Sequence, residues 1–207
     1  MEKLRSSLQN MVMVLVGVSI VIGALLAFVN HVTAKPIAEK AEKTLASGIK
    51  AVMNSNQVKV DEPVEVLRDF EGKILEFVIH PCTDLQGKSL GAAVESTTGG
   101  FGGDLKVLVG FDPDGKILGY TILETSETPG LGAKAEKWFQ KDGKGSIIGM
   151  SPADGTLHVR QDSKSGNAVD AITASTITSR AFLKAVNQAY EVYRQKDKSA
   201  AMAAVNQ

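Results

Sequence analysis

Hydroxyl side chains are concentrated in one short stretch near the end of the chain. Residues 170–180 read DAITASTITSR. From Phe182 onward apolar residues recur at spacings of three and four, which is typical of an amphipathic helix. The hydroxyl cluster is therefore predicted at a strand-to-helix corner, where free N–H groups and the positive end of the helix dipole favour an anion such as phosphate. Simple N-capping by Ser or Thr is the alternative interpretation.

The first part of this stretch, DAITAST, resembles the flavinylation motif D-x-x-(S/T)-G-A-T of the RnfG/NqrC family of membrane-anchored flavoproteins. The resemblance implies that Thr176 carries FMN through a phosphoester bond, with Thr178 as the alternative attachment site. Ala174 stands where the motif has Gly, and Ser175 where it has Ala. Both changes are small-for-small, but Ala fits less well than Gly if the backbone at position 174 needs a positive φ.

Two further segments resemble the same family. The sequence SETPGLG, residues 126–132, is similar to its second signature, a loop that lies against the flavin. The glycine-rich segment TTGGFGG, residues 97–103, precedes it. No helix is predicted directly after these glycines, so they form no dinucleotide-binding fingerprint, and a flexible loop is the simpler interpretation. The motifs occur in family order from about residue 72 to 194, and the form GFGG resembles RnfG more than NqrC.

The motif positions provide a set of expected flavin contacts. Phe101, Leu131, Ile172 and Ile177 are candidates for apolar walls around the isoalloxazine ring, and backbone N–H groups near Gly130 could bond its polar edge. Glu127 has a second interpretation as an ordinary first-turn acid. The full expected set is Phe101, Glu127, Thr128, Gly130, Leu131, Gly132, Ile172, Thr173, Ala174, Ser175, Ile177 and Thr178.

Composition excludes several other classes of site. The 207 residues carry 23 basic and 23 acidic side chains, and no basic stretch is long enough to follow a nucleic-acid backbone. Cys82 is the single cysteine, so an internal disulfide or a thiolate metal cluster is impossible. The three histidines are far apart in sequence, and no metal site is predicted. Any redox chemistry must therefore come from an organic cofactor.

A membrane anchor is predicted near the N-terminus. Met11 to Val29 contains no charged residue, and a helix of this length spans the roughly 30 Å hydrocarbon layer. A cleaved signal peptide is the alternative, but the run is longer than its usual apolar core and residues 32–34 form a poor cleavage site. Lys3 and Arg5 favour a cytoplasmic N-terminus, which would place the main domain outside the cytoplasm.

The remaining pattern predicts an α+β protein, with one transmembrane helix followed by an extracytoplasmic FMN-binding domain that has a mostly antiparallel sheet and flanking helices. A hairpin is expected around 112–115, a strand over 73–80 ended by Pro81, and a linker over 54–66. The predicted segments are a cytoplasmic N-terminus (1–10), a transmembrane helix (11–30), a helical stalk (31–56), the FMN-binding domain (57–195) and a C-terminal tail (196–207).

No general acid–base pair for a substrate is evident, so the sequence favours an electron relay over a dehydrogenase. The resemblance implies a subunit of the inner-membrane Rnf complex, which passes electrons between ferredoxin and NAD while it moves Na⁺ or H⁺. The implied partners are an iron–sulfur membrane subunit pair, a second flavoprotein subunit and a flavin transferase. The alternatives are a subunit of the Na⁺-translocating quinone reductase, or a membrane-tethered module that binds a phosphate-bearing ligand reversibly.

Overall fold

The computed structural model describes residues 8–55, 57–163 and 166–205, with side chains described as far as residue 195. Lys3 and Arg5, on which the predicted orientation depends, lie outside these ranges, as do the side chains of the predicted tail. Internal contacts divide the chain into two units, one ending at Thr44 and one beginning at Leu45.

The first unit consists of the N-terminal part of helix α1 (Leu8–Val52). An 18-residue window of this helix has a mean hydropathy of 2.9, and none of the window is buried. By length and composition the helix can cross a membrane. It continues through Pro36, so the predicted anchor and stalk form one helix.

The second unit is built on an antiparallel sheet, as the sequence predicts. Its strands follow the order β1–β3–β4–β5–β6, with β2 also paired to β3. Their bounds are β1 (Lys59–Val60), β2 (Val64–Phe70), β3 (Lys73–Thr83), β4 (Ser89–Gly99), β5 (Asp104–Phe111) and β6 (Ile117–Thr125). A short helix α2 (Ala135–Trp138), a parallel pair β7 (His158–Val159) and β8 (Ala168–Val169), and helix α3 (Thr176–Val205) complete the unit.

The predicted hairpin joins β5 and β6. The side chain of Asp112 accepts hydrogen bonds from the N–H groups of Asp114 and Lys116, at 3.0 and 2.8 Å. Gly115 has a φ of 82°, in the left-handed region that this turn requires. The turn chemistry of the DPDG sequence thus fixes the register of the two strands.

Two strand predictions were wrong. Strand β2 occupies part of the predicted linker; most of its side chains are exposed on both faces, so no alternating pattern marks it. Pro81 does not end β3 but lies within it. The carbonyl of Pro81 accepts from the N–H of Asp61, so the edge of Pro81 that lacks an N–H faces the gap between β1 and β2 and disrupts no bond to β4.

Helix α3 covers one face of the sheet and forms the main core there. The ring of Phe182 stacks on Phe139, with centroids 4.4 Å apart, and meets Tyr120 edge-on at 4.7 Å. All three side chains are buried. This packing fixes the first turns of α3 against the sheet, and with them the hydroxyl cluster.

The other face of the sheet is covered by the last turns of α1. Ile49 and Val52 pack in one buried cluster with residues of β3, β4 and β5. A Cβ at Gly110 or Gly119 would lie 2.6 or 2.8 Å from the carbonyl oxygen of Val52, so glycine is needed for this close approach. The end of the predicted stalk is therefore part of the domain core.

A buried ionic cluster lies on the same face as the end of α1. The carboxylate of Glu95 contacts His80 Nε2 and Lys106 Nζ, both at 2.7 Å. Burial raises the pKa of Glu95, but the hydrogen bonds from His80 and Lys106 outweigh that effect, so the pKa lies below its usual value.

We expect this cluster to make stability depend on pH in the acid range. A lowered carboxyl pKa contributes stability above the unfolded value of about 4.3, and that contribution is lost as pH falls through the lower folded value. Glu95→Gln should therefore flatten the acid side of the stability curve, measured by urea unfolding of the detergent-solubilised chain. Glu76→Gln, at an exposed position, is the control and should keep the wild-type slope.

Candidate functional site

The hydroxyl cluster lies at the start of α3, directly after β8. The carbonyl of Ser175 accepts from the N–H of Ser179 at 3.0 Å, which makes Ser175 the N-cap. The N–H groups of the intervening residues form the free first turn of the helix. The strand-to-helix corner that the sequence predicts is therefore present.

The hydroxyl groups of this corner have different roles. Ser179 is buried, and its Oγ accepts from the N–H of Ile172 and donates to the carbonyl of Ser175, both at 2.9 Å. Thr178 is fully buried and donates to Glu127 Oε2 at 2.9 Å. Thr176 is half-buried, and its hydroxyl has no partner among the residues that the structure describes. Of these three, Thr176 is the hydroxyl available for modification.

Glu127 joins the three motifs. Its Oε1 accepts from the backbone N–H of Phe101 at 2.7 Å, and its Oε2 accepts from Thr178. We call this arrangement of Phe101, Glu127 and Thr178 the Glu127 bridge. The carboxylate is 7% exposed and follows the end of β6, so Glu127 is not a first-turn acid of a helix. The bridge holds the glycine-rich loop, the SETPGLG loop and the helix start together.

The glycines of two motifs allow this bridge to form. A Cβ at Gly100 would lie 2.2 Å from Glu127 Oε1, and one at Gly132 would lie 2.4 Å from Oε2. A Cβ at Gly102 would lie 2.2 Å from the carbonyl oxygen of Ser126. These loops pack so closely on Ser126 and Glu127 that no side chain fits between them.

Three apolar side chains next to the bridge remain exposed, and we refer to them as the exposed apolar cluster. They are Phe101, Leu131 and Ile177, at 68%, 41% and 55% exposure. Phe101 belongs to the bridge, Ile177 precedes Thr178, and Leu131 precedes Gly132. Ile172, the fourth expected wall, instead lies in the hydrophobic core with 1% exposure. The other expected positions Thr128, Gly130, Thr173 and Ala174 are exposed.

Ala174 adopts a φ of 60°, in the left-handed region. Its side chain is exposed, so no packing contact offsets the strain. An L-residue in this conformation costs roughly 1–2 kcal/mol relative to a right-handed one, whereas glycine adopts it freely. Position 174 thus needs the conformation that the glycine of the resembled motif provides.

Ala174→Gly should therefore stabilise the domain, by about 0.5–1 kcal/mol after the greater flexibility of glycine in the unfolded chain is subtracted. The free energy of unfolding in urea measures this change. Ala153→Gly, at another exposed position but with an ordinary φ, is the control and should destabilise the chain. A loss of stability in Ala174→Gly would show that the strain is absent.

Sequence reasoning missed the residues that fix Asp170, the first position of the motif. Arg160 Nε donates to Asp170 Oδ1 at 2.6 Å, and Trp138 Nε1 donates to the Asp170 carbonyl at 2.8 Å. Trp138 ends α2, which is held in turn because the hydroxyl of Tyr120 donates to the carbonyl of Ala135. Burial raises the pKa of the Tyr120 phenol, so it stays a donor. No local pattern marks these contacts, which cross between separate elements.

Comparison with known proteins identifies the family. The model of the FMN-binding domain matches residues 100–191, which include the glycine loop, SETPGLG and the hydroxyl cluster. The chain is 31% identical to the RnfG subunit of the Na⁺-translocating ferredoxin:NAD⁺ oxidoreductase complex of Acetobacterium woodii, over 90% of this chain and 91% of that one. The chain belongs to the RnfG family.

Two further comparisons agree with membership of the RnfG family. The corresponding subunit of the proton-translocating ferredoxin:NAD⁺ oxidoreductase complex of Clostridium ljungdahlii is 36% identical, over 50% of this chain and 54% of that one. The crystal structure of Shewanella oneidensis NqrC superposes with a TM-score of 0.53 at 15% identity, over 78% of this chain and 99% of that one, which shows a shared fold. This RnfG-family chain thus combines a transmembrane helix with an FMN-binding domain.

Proposed function

We propose that this protein is the electron-transfer subunit of an ion-translocating ferredoxin:NAD⁺ oxidoreductase complex and that it carries FMN through a phosphoester on Thr176. The complex is the one named for the A. woodii relative. The single observation that carries the attachment site is the contrast between Thr176 and Thr178. The first hydroxyl is free among the described residues, and the second is buried and engaged with Glu127.

The helix start favours the charge of a phosphodiester. A phosphate on Thr176 would lie at the first turn of α3, where the N–H groups of Ile177 and Thr178 precede the first intrahelical bond. The positive end of the helix dipole adds to this stabilisation. Ser179, the third amide expected to contribute, is not available because its N–H donates to Ser175.

The surroundings also fit a flavin ring. The exposed apolar cluster supplies hydrophobic surface that a planar ring would cover, which stabilises the bound form by burying apolar area. Gly130 has open space around its α-carbon, so backbone can approach the polar edge of a ring there. When bound, FMN supplies the electron-carrying chemistry, and the protein orients it and excludes water from one face.

Covalent attachment suits the location that we propose. The transmembrane helix would anchor the chain in the inner membrane with the FMN-binding domain on the extracytoplasmic side. A reversibly bound cofactor would be lost by dilution there, whereas a phosphoester cannot dissociate. A separate flavin transferase would install it. The iron–sulfur membrane subunit pair and the second flavoprotein subunit remain the proposed donor and acceptor.

Peptide mass mapping tests the proposal. Protein purified from membranes of the native host should yield a Thr176 peptide that carries the mass of an esterified FMN. An unmodified peptide would overturn the covalent carrier and favour a module that binds a phosphate-bearing ligand reversibly. The subunits that copurify would separate this assembly from a Na⁺-translocating quinone reductase.

A further inference from the structure

A cavity of about 730 Å³ lies where two strands of the sheet separate. Strands β3 and β4 are paired from Val78↔Glu95 toward Thr83↔Ser89, but 73–77 of β3 and 96–99 of β4 are not paired with each other. The cavity lies between these two segments, and we call it the strand cleft. Its volume is within the range of about 300–1,000 Å³ that ligand sites occupy.

The strand cleft follows the strand edges, not one face of the sheet. Thr97 and Thr98, consecutive residues of β4, both line it, as do Leu75 and Glu76 of β3. Consecutive side chains on a strand point to opposite faces, so a cavity lined by both must run along the edge. In the described register, segment 96–99 has a ladder partner only in β5, and 73–77 only in β2. Two open main-chain edges therefore border the strand cleft.

A buried acceptor without a donor also lines the strand cleft. Gln188 on α3 is 4% exposed, and its Oε1 has no hydrogen-bond partner among the described residues. On β4 the Oγ of Ser96 is likewise buried and without a partner in the described part of the chain. Buried polar groups are almost always satisfied in folded proteins, so Gln188 points to a ligand that brings a donor.

The charges of the lining favour a basic ligand. Glu71 is paired with Lys184 at 2.6 Å, and Glu95 with Lys106 at 2.7 Å. Four carboxylates line the strand cleft against three ammonium groups. Of the carboxylates, Glu76 and Asp104 make no ion pair within the described ranges.

We propose that the strand cleft binds an extended, basic peptide segment of a partner protein, which adds as a strand between β3 and β4. A polypeptide main chain is the ligand that pairs with two open strand edges, as in other cases of strand addition. A donor on the segment would satisfy Gln188, and a Lys or Arg side chain would pair with Asp104 or Glu76.

The strand cleft is separate from the predicted flavin site. It shares no residue with the expected flavin contacts, and the proposal does not depend on the covalent attachment at Thr176. The two are nevertheless linked through α3, because Lys184 and Gln188 lie about 12 and 18 Å along the helix from Thr176 at 1.5 Å per residue. A partner held in the strand cleft would thus stay close to the helix start.

Photo-crosslinking in membranes of the native host tests the proposal on the full chain. A benzophenone amino acid at Thr97 should crosslink to one defined segment of one partner protein, and that segment should contain Lys or Arg. The same group at Lys116, in the turn between β5 and β6, should not capture that segment. Asp104→Lys should lower the Thr97 crosslink at least fivefold, whereas Asp114→Lys, an exposed acid outside the strand cleft, should leave it unchanged.

Hydrogen exchange on the unmodified chain provides the second measurement. Amides of 96–99 should exchange at least tenfold more slowly in the assembled complex than in the purified chain, because a strand added to their edge protects them. The already paired amides of β5 should change little. Equal exchange in both states, or crosslinks from Thr97 only to lipid, to a small molecule or to no target, would overturn the proposal.

Discussion

Thr176→Ala should abolish covalent flavin completely while the domain stays folded. The hydroxyl of Thr176 has no hydrogen-bond partner among the described residues, so its removal breaks no contact of the fold. The buried hydroxyl of Thr178 cannot substitute without releasing Glu127. In-gel flavin fluorescence and intact mass of protein from the native host measure the loss, and urea unfolding should show a change within about 0.5 kcal/mol, as for other substitutions of this kind.

Thr173→Ala is the matched control, because Thr173 is an exposed hydroxyl in the same motif. That variant should keep its fluorescent band at wild-type intensity. A fluorescent band in Thr176→Ala that maps to Thr178 would contradict the assignment, since it would mean that the Glu127 bridge opens during attachment. Loss of the band together with unfolding would indicate a structural role of Thr176 instead.

Local sequence patterns predicted the parts of the fold that depend on near neighbours. The DPDG turn, the amphipathic spacing of α3 and the apolar run of α1 each report on residues a few positions apart. Strand β2 escaped because it is exposed on both faces and gains its order from pairing with β3. The position of Pro81 within β3 escaped for a related reason. It is tolerated only because the neighbouring strands leave a gap there, which the sequence of β3 does not show.

The candidate site divides in the same way. The hydroxyl cluster and the glycine loops are visible as motifs, but their contacts are not. The bond from Phe101 to Glu127 joins residues 26 positions apart, and that from Thr178 to Glu127 joins residues 51 apart. The sequence indicated that the glycines admit something flat or charged. The structure shows that for Gly100 and Gly132 the charged group is the chain's own carboxylate.

Glu127→Ala should be the most destabilising of the substitutions considered, at about 2–4 kcal/mol. It removes the acceptor of two buried donors, and each orphaned donor costs about 1–3 kcal/mol. The glycines that surround the carboxylate leave no side chain nearby to replace it. The free energy of urea unfolding measures this loss, and covalent flavin in the native host should fall with it, because the helix start and both loops lose their common contact.

Glu127→Gln separates the hydrogen bonds from the charge. Its amide oxygen can accept from the Phe101 N–H while its NH₂ group donates to the Thr178 oxygen, so both contacts of the Glu127 bridge persist in neutral form. We therefore expect a loss below about 1 kcal/mol, since the difference is that between charged and neutral hydrogen bonds. A Gln variant as unstable as the Ala variant would show that the negative charge itself holds the loops. A Gln variant of normal stability with little covalent flavin would instead place the charge of Glu127 in the attachment reaction.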